Sequence, residues 1–129
     1  MLKEKGINMS KSIITNYEGY SVFSGTPTTT RHHCVFGRGM RELAEQDGIW
    51  IPVTDAEHNM SSKGTINQIH GNPAAENLSK IAGQLAFERV WLAKKLANVN
   101  KDGLDEQTVD EWLEEARESF RKRYGRSYL

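Results

Sequence analysis

Residues 31–53 read RHHCVFGRGMRELAEQDGIWIPV, and their pattern predicts a strand, a short helix and a second strand in succession. Residues 31–36 have the character of a strand that glycines close. Apolar side chains recur at helical spacing over residues 40–47, where an Asp-Gly pair ends the helix. Residues 49–53 are apolar and rich in β-forming types. This order predicts two strands with a helix between them.

Two longer helices are predicted after this stretch. Asn72-Pro73 marks a helix start, with the asparagine as N-cap and the proline at the first helical position. This helix is expected to run to about residue 98, and a second helix to begin at about Thr108. Both carry an apolar stripe, so we expect them to pack against each other. The first stripe contains Leu78, Ile81, Ala82, Leu85, Ala86, Val90, Ala93, Leu96 and Ala97, and the second contains Val109, Trp112, Leu113, Ala116, Phe120 and Tyr124.

The composition is that of one globular domain. The chain has 129 residues, of which 37% are hydrophobic and 26% charged, and its formal net charge is zero. No apolar run approaches the ~20 residues of a membrane helix, so we expect no membrane partner and a cytoplasmic location. Residues 1–16 are polar and lack periodicity, which predicts a loose N-terminal arm before a single domain in residues 17–129. The single cysteine, Cys34, excludes an internal disulfide and a cysteine-type structural zinc.

Basic residues are concentrated near the C-terminal end of the sequence. From residue 117 onward it reads RESFRKRYGRSYL, with Arg121, Lys122 and Arg123 at its centre. One interpretation is a patch that contacts nucleic-acid phosphates. The other is a solvated helix end whose positive charges suit the helix dipole.

All four histidines lie between residues 32 and 70. In an extended strand, adjacent side chains point to opposite faces, so His32 and His33 cannot easily bind the same ion. This geometry suggests a division of labour, in which one histidine binds a divalent metal and the other acts as a general base toward water. The alternative is that the histidines are surface or core residues with satisfied hydrogen bonds.

Residues 32–72, HHCVFGRGMRELAEQDGIWIPVTDAEHNMSSKGTINQIHGN, resemble the HNH branch of the His-Me finger nucleases. The resemblance is closest to phage-type proteins like the Ref recombination-associated nuclease family. The shared features are a His-His pair, an F-G step, an R-x-L-A/S helix, a short strand and later histidines, and they cover about residues 17–95. The resemblance implies an α+β fold, with a small ββα-metal core in about residues 17–72 and helical support from residues 73–129.

The same resemblance implies a function. The chain would be an HNH-type endonuclease that hydrolyses phosphodiester bonds of duplex or single-stranded DNA, in phage or prophage recombination or DNA processing in a bacterial host cell. It would use one divalent cation, magnesium or manganese, and a recombinase is a candidate partner. His33 would be the general base, and the metal ligands would be His32, His58 and His70.

Three arginines flank the histidine pair, namely Arg31, Arg38 and Arg41. They are candidates for contacts with nucleic-acid phosphates, and the alternative is ordinary surface charge. Two other functions stay open: a non-catalytic nucleic-acid-binding or assembly protein that retains a degenerate HNH fold, and a histidine site for structural zinc. A weakly held, exchangeable ion would distinguish the nuclease from the structural zinc site.

Two departures from the family pattern concern cysteines and an asparagine. Many relatives carry two CxxC pairs, where this chain reads SVFS in residues 21–24 and TDAE in residues 54–57. Thr-x-x-Glu is the capping-box pattern, which predicts a helix start held by hydrogen bonds in place of zinc; the alternative is a polar turn. The asparagine that orients the base in relatives is missing between Cys34 and Glu57. We therefore expect Asp47 or a backbone carbonyl to orient His33.

Overall fold

The computed structural model describes residues 10–60 and 68–129. It has the α+β architecture that the sequence predicted, with a small antiparallel sheet and two long C-terminal helices packed together. The elements are strand β1 (Arg31–His33), helix α1 (Met40–Asp47), strand β2 (Trp50–Pro52), a π-helical turn (Ala56–Met60), helix α2 (Pro73–Ala97), a 3-10 turn (Lys101–Gly103) and helix α3 (Glu106–Tyr124). Within the described ranges, no helix combines the length and the apolar character that crossing a membrane requires.

The sheet consists of β1 and β2, which α1 connects. In the antiparallel register, His32 pairs with Ile51 and His33 with Trp50. Gly48 ends α1 in the left-handed conformation, with φ at 74°, and so turns the chain back into the second strand. Both strands are shorter than predicted, because backbone pairing extends over only three residues of each.

Residues 10–16 belong to the segment that the sequence predicted to be a loose arm, but they are hydrogen-bonded to the domain. Ser12 Oγ donates to the backbone oxygen of Trp50 at 2.7 Å, and the Ile13 N–H donates to the oxygen of Gly48 at 2.9 Å. Arg89 of α2 in turn donates to the Ile13 oxygen at 3.1 Å. A hydropathy pattern does not predict these hydrogen bonds, because backbone groups and a serine hydroxyl make them. Residues 1–9 of the predicted arm lie outside the described residues.

Capping side chains locate the starts of both long helices. Asn72 accepts a hydrogen bond from the Ala75 N–H at 3.3 Å, and Pro73 is the first residue of α2, as predicted. The start of α3 lies at Glu106, two residues before the predicted Thr108. The reason is that Asp105 is the N-cap and accepts from the Thr108 N–H at 2.8 Å.

The face of α2 that packs against the domain is not its apolar stripe. Leu78 and Leu85 are 66% and 51% exposed. A Cβ on Gly83 would lie 2.9 Å from Ile49 Cγ2 and 3.0 Å from Cys34 Cβ, so the missing side chain lets the helix backbone approach the core closely. The packing of the two helices is confirmed, but the predicted stripe of α2 was wrong. The buried positions of α2 are Ser79, Gly83, Gln84 and Glu88.

The second half of α3 completes the core. Phe120 and Tyr124 are buried, whereas Val109 and Leu113 in the first half of the helix are exposed. The Tyr124 hydroxyl donates to the Asp47 carboxylate at 2.6 Å. This contact fixes the C-terminal end of α1 against α3, and α1 carries part of the candidate site.

Candidate metal centre

Three of the four histidines meet at one point. Ligand nitrogens of His32, His58 and His70 lie within 4.8 Å of one another, and the Nε2 atoms of His58 and His70 are 3.1 Å apart. The ring centroid of His32 is 5.4 Å from that of His58 and 5.1 Å from that of His70. The structure therefore brings together the three residues that were predicted as metal ligands.

Backbone hydrogen bonds explain why His58 and His70 are neighbours. The Ile69 N–H donates to the oxygen of Glu57 at 2.8 Å, and the His70 N–H donates to the oxygen of His58 at 3.0 Å. These two bonds place residues 69–70 alongside the π-helical turn. Gly71 then takes a φ of 87°, which is costly for residues with a side chain, and the chain turns into α2.

His32 is the buried member of the cluster. Its ring Nε2 is 2.7 Å from Ser79 Oγ on α2, and its Nδ1 is buried with no hydrogen-bond partner among the described residues. Burial, and then the nearby charges of His70 and His58, lower the pKa of His32 from 6.5 to about 3. This ring is therefore neutral at physiological pH, which is the state in which histidine binds metals.

His58 and His70 are half-buried and have polar surroundings. Partial burial, followed by the charges of His70 and Arg41, lowers the pKa of His58, and Asp55 acts weakly in the opposite direction. His70 Nδ1 lies 3.3 Å from the Glu76 carboxylate of α2. A carboxylate behind a histidine ligand is the usual outer partner in metal centres.

Phe36 forms an apolar wall beside the cluster. Its ring centroid is 4.7 Å from that of His70 and 5.7 Å from that of His32, with edge-to-face geometry. The Lys80 ammonium of α2 lies 4.7 Å from the centroid of the Phe36 ring. Sequence reasoning assigned Phe36 to a strand and missed its place in the site. The signal available was its position only four residues after His32.

His33 points to a different helix. Its Nε2 lies 2.8 Å from the Glu45 carboxylate of α1, whereas the adjacent His32 contacts α2. The expected division between the two faces of the strand is therefore confirmed. The expectation that Asp47 orients His33 was wrong, because Asp47 accepts hydrogen bonds from Arg123 and Tyr124 instead. The sequence contains no local signal for the pairing of His33 with Glu45, since it depends on how α1 folds back on β1.

Of the three flanking arginines, Arg41 is the one that the structure relates to the cluster. It is exposed, and its charge contributes to lowering the pKa values of His32 and His58. Arg31 is engaged elsewhere: its guanidinium lies 3.7 Å from the Trp50 ring centroid and 2.5 Å from the Glu45 carboxylate. Arg38 is exposed in the loop before α1.

The basic C-terminal residues lie on the last turn of α3. Arg123 donates to the Asp47 carboxylate at 2.6 Å, and Arg121 pairs with Glu118 at 3.1 Å on the same helix. Lys122 is exposed. Arg123 therefore has a structural role in joining α3 to α1. The histidine cluster lies elsewhere, at β1, the π-helical turn and the residues just before α2.

The two segments that read SVFS (residues 21–24) and TDAE (residues 54–57) are joined by hydrogen bonds. The Thr54 N–H donates to Glu57 Oε1 at 2.8 Å and the Glu57 N–H donates to Thr54 Oγ1 at 3.2 Å, so the predicted capping box is confirmed. Ser21 Oγ also donates to Glu57 Oε1, at 2.6 Å. Burial opposes the charged form, but hydrogen bonds from Ser21 and Thr54 outweigh it and lower the pKa of Glu57. The π-helical turn that carries His58 thus starts at a hydrogen-bonded junction.

Comparisons of the chain with models of protein families, with curated proteins and with solved structures found no significant match. The resemblance to the HNH nucleases therefore stays a prediction from the residues quoted above. The geometry of the histidine cluster is the basis on which a function is assigned below.

Proposed function

We propose that the chain is a metal-dependent endonuclease that hydrolyses DNA phosphodiester bonds with a histidine base. The observation that carries the proposal is the meeting of His32, His58 and His70. These residues come from three segments, and the Nδ1 of His32 is buried without a partner among the described residues. An unsatisfied buried acceptor costs about 1–3 kcal/mol, so a cation at this point would account for it.

The donor set fits a divalent cation. His32 Nδ1 would hold it together with the Nε2 atoms of His58 and His70, and the lowered pKa values of His32 and His58 keep both rings available as neutral ligands. Imidazole donors suit Zn²⁺, Ni²⁺ and Fe²⁺, whereas Mg²⁺ and Mn²⁺, which the family resemblance implies, suit oxygen donors. When bound, the ion supplies a Lewis acid for a phosphate oxygen.

His33 is the proposed general base. A carboxylate only accepts hydrogen bonds, so the 2.8 Å contact with Glu45 places the ring hydrogen of neutral His33 on Nε2. His33 Nδ1 is then the nitrogen that takes a proton from the attacking water. The Glu45 carboxylate also stabilises the positive charge that His33 gains in that step.

Arg41 is the proposed contact for the substrate phosphate. It is exposed, and its charge reaches both His32 and His58. The planar guanidinium group binds phosphate oxygens through paired N–H donors. Because the formal net charge of the chain is zero, attraction of the DNA polyanion depends on such local charges.

Cleavage of supercoiled plasmid and of circular single-stranded DNA tests the proposal. The purified wild-type chain is assayed with Mg²⁺, Mn²⁺, Zn²⁺ and Ni²⁺ in turn, and after removal of metal by a chelator. We expect nicking that depends on an added metal and falls by about 10²-fold to 10⁴-fold in His33→Ala, the contribution typical of a general base.

Two variants serve as controls in this assay. Asp110→Asn changes an exposed residue of α3 and should cleave like the wild type. His32→Ala removes a proposed ligand and should lose metal binding together with cleavage. Equal activity in all four proteins would reveal a contaminating nuclease and remove the proposal.

A structural metal site is the second candidate function. The complete burial of His32 and the wall formed by Phe36 favour it, because structural sites are closed to solvent. A tightly held, inert Zn²⁺ whose removal unfolds the chain, with no cleavage under any metal, would support this alternative. Binding of DNA without cleavage would instead support a non-catalytic nucleic-acid-binding protein.

A further inference from the structure

We propose that the first two turns of α2 act as the outer shell of the metal centre, with Ser79 and Glu76 fixing which ring nitrogens of His32 and His70 are bare. This inference rests on the metal site of the proposed function but does not depend on nuclease activity. Ser79 and Glu76 are positioning residues, since each acts on the ion through a histidine.

The hydrogen-bond partners of Ser79 determine the tautomer of His32. The Ser79 hydroxyl has one hydrogen, and it donates that hydrogen to the backbone oxygen of Cys34 at 2.8 Å. The contact between Ser79 Oγ and His32 Nε2, at 2.7 Å, must therefore be donated by the histidine. His32 thus carries its hydrogen on Nε2, and Nδ1, which has no hydrogen-bond partner among the described residues, keeps its lone pair free.

Glu76 determines the tautomer of His70 in the same way. Its carboxylate accepts from His70 Nδ1–H at 3.3 Å, which leaves Nε2 of His70 bare. In the metal-free protein this bare nitrogen accepts from His58 Nε2–H at 3.1 Å. His58 Nε2 would be available to a cation in the tautomer that carries the hydrogen on Nδ1, which exchange with solvent allows.

Glu76 and Ser79 act from one helix face. They are three residues apart on α2, so their side chains lie on the same side of its first two turns. Asn72 caps this end of the helix, and Gly83 lets the next turn approach Ile49 and the core. The docking of α2 therefore sets the orientation of two ligand rings together, and metal binding should stabilise that docking.

The tautomers can be measured directly in the metal-free protein. Long-range ¹H–¹⁵N correlation spectra of the four histidine rings, assigned by single His→Gln variants, distinguish a protonated ring nitrogen from a bare one. We expect hydrogen on Nε2 of His32 and on Nδ1 of His70, and a mixture of tautomers for His32 in Ser79→Ala. Asn77→Ala, an exposed change on the same turns, should leave the spectrum as in the wild type.

Metal affinity gives a second readout that does not involve cleavage. Calorimetric titration with Zn²⁺ and with Co²⁺ should show binding weakened about 10-fold to 100-fold in Ser79→Ala and in Glu76→Ala, the usual effect of losing an outer partner. Ser79→Thr and Glu76→Gln retain a hydrogen-bond acceptor and should bind within a few-fold of the wild type. Glu76 is partly exposed, so its variants remain informative if Ser79→Ala fails to fold.

The outcomes separate this inference from the nuclease proposal. Wild-type metal affinity in both Ala variants, or hydrogen on Nδ1 of His32, would overturn the proposed positioning role of Ser79 and Glu76. The nuclease proposal would be unaffected. Weakened metal binding in Ser79→Ala and Glu76→Ala, together with no DNA cleavage by the wild type, would support the outer-shell role and rule out the nuclease proposal. Absence of metal binding in the wild type would overturn both.

Discussion

Ser21 Oγ donates a 2.6 Å hydrogen bond to Glu57 Oε1 and so joins the loop before β1 to the π-helical turn that carries His58. The same serine oxygen accepts from the N–H groups of Phe23 and Ser24, at 3.0 and 3.1 Å. Glu57 in turn receives the Thr54 N–H. The two segments are thus linked through hydroxyls, backbone N–H groups and one carboxylate.

Removal of this junction should destabilise the domain. The stability that the junction contributes should be lost in acid. We expect Ser21→Ala to cost about 1–3 kcal/mol of unfolding free energy, because it removes a partly buried hydrogen bond to a charged group. The lowered pKa of Glu57 means that its contribution is present above the unfolded pKa of about 4.5 and is lost as pH falls through the lower folded pKa. Urea unfolding at pH 7 and at pH 3 measures both effects.

A double-mutant cycle with Ser21→Ala and Glu57→Gln isolates the contact. The coupling energy should be about 1 kcal/mol at pH 7 and should shrink in acid. Thr29→Ala, which changes an exposed residue in the loop before β1, should cost much less. A coupling energy near zero at pH 7 would show that the junction does not stabilise the fold.

Glu45→Gln should reduce turnover without weakening metal binding. The variant removes the charge that holds His33 and that stabilises its protonated form, and a base displaced by about 1 Å can cost about 100-fold in rate. Glu42→Gln, an exposed change on the same helix, is the matched control. Wild-type turnover in Glu45→Gln would contradict the proposed role of Glu45.

Gly83→Ala should destabilise the protein even though alanine is the better helix former. The gain in helix propensity is about 1 kcal/mol, whereas overpacking a core costs about 1–3 kcal/mol. The new Cβ would meet Ile49 Cγ2 at 2.9 Å and Cys34 Cβ at 3.0 Å, and the Cys34 Cβ is fixed to the backbone, so the helix itself must shift. We expect a net loss of up to about 2 kcal/mol in thermal or urea unfolding.

Gly103→Ala is the control for this change, because no atom lies within 4 Å of its added Cβ. Its stability should stay within about 0.5 kcal/mol of the wild type. If Gly83→Ala were as stable as Gly103→Ala, the close approach of α2 to the core would be refuted.

Tyr124 should make the domain sensitive to alkali. Burial, and then the hydrogen bond to Asp47, raise the pKa of Tyr124. Because the folded pKa lies above the unfolded value of 10, this stabilisation is complete below pH 10 and is lost as pH rises beyond it. Unfolding free energies measured between pH 8 and 11 should therefore fall more steeply in the wild type than in Tyr124→Phe. The same slope in both proteins would contradict this assignment.

Tyr124→Phe also measures the contact with α1 at neutral pH. Loss of a hydrogen bond to a charged group costs about 1.5–3 kcal/mol, so we expect a loss of that order at pH 7. Tyr17→Phe, at an exposed tyrosine whose hydroxyl has no charged partner within residues 10–60 and 68–129, is expected to have little effect.

Local signals in the sequence predicted much of the fold. Asn72-Pro73 located the start of α2, the glycine after Asp47 located the end of α1, and the Thr-x-x-Glu pattern predicted the capping box at Thr54. Each of these features depends on residues within one helical turn, which is why a pattern can reveal it.

Features that depend on distant residues were not predictable in this way. The partner of His33 is Glu45 because α1 folds back on β1, and the buried face of α2 is set by the contact of Gly83 with Ile49. Hydropathy assigned the wrong face because the positions that pack are small or polar and find specific partners. The three metal-ligand candidates, in contrast, were implied by the family resemblance, and the structure brings them together.

The hydrogen bond between Asp47 and Tyr124 joins parts of the chain that the ribosome makes at different times. It joins positions 77 residues apart, whereas all four histidines lie between residues 32 and 70. Because a ribosome delivers a chain from its N-terminus, the histidines emerge well before the helix that holds the end of α1. A nascent chain can thus expose its four histidines before Tyr124 holds the end of α1, the helix that also carries Glu45.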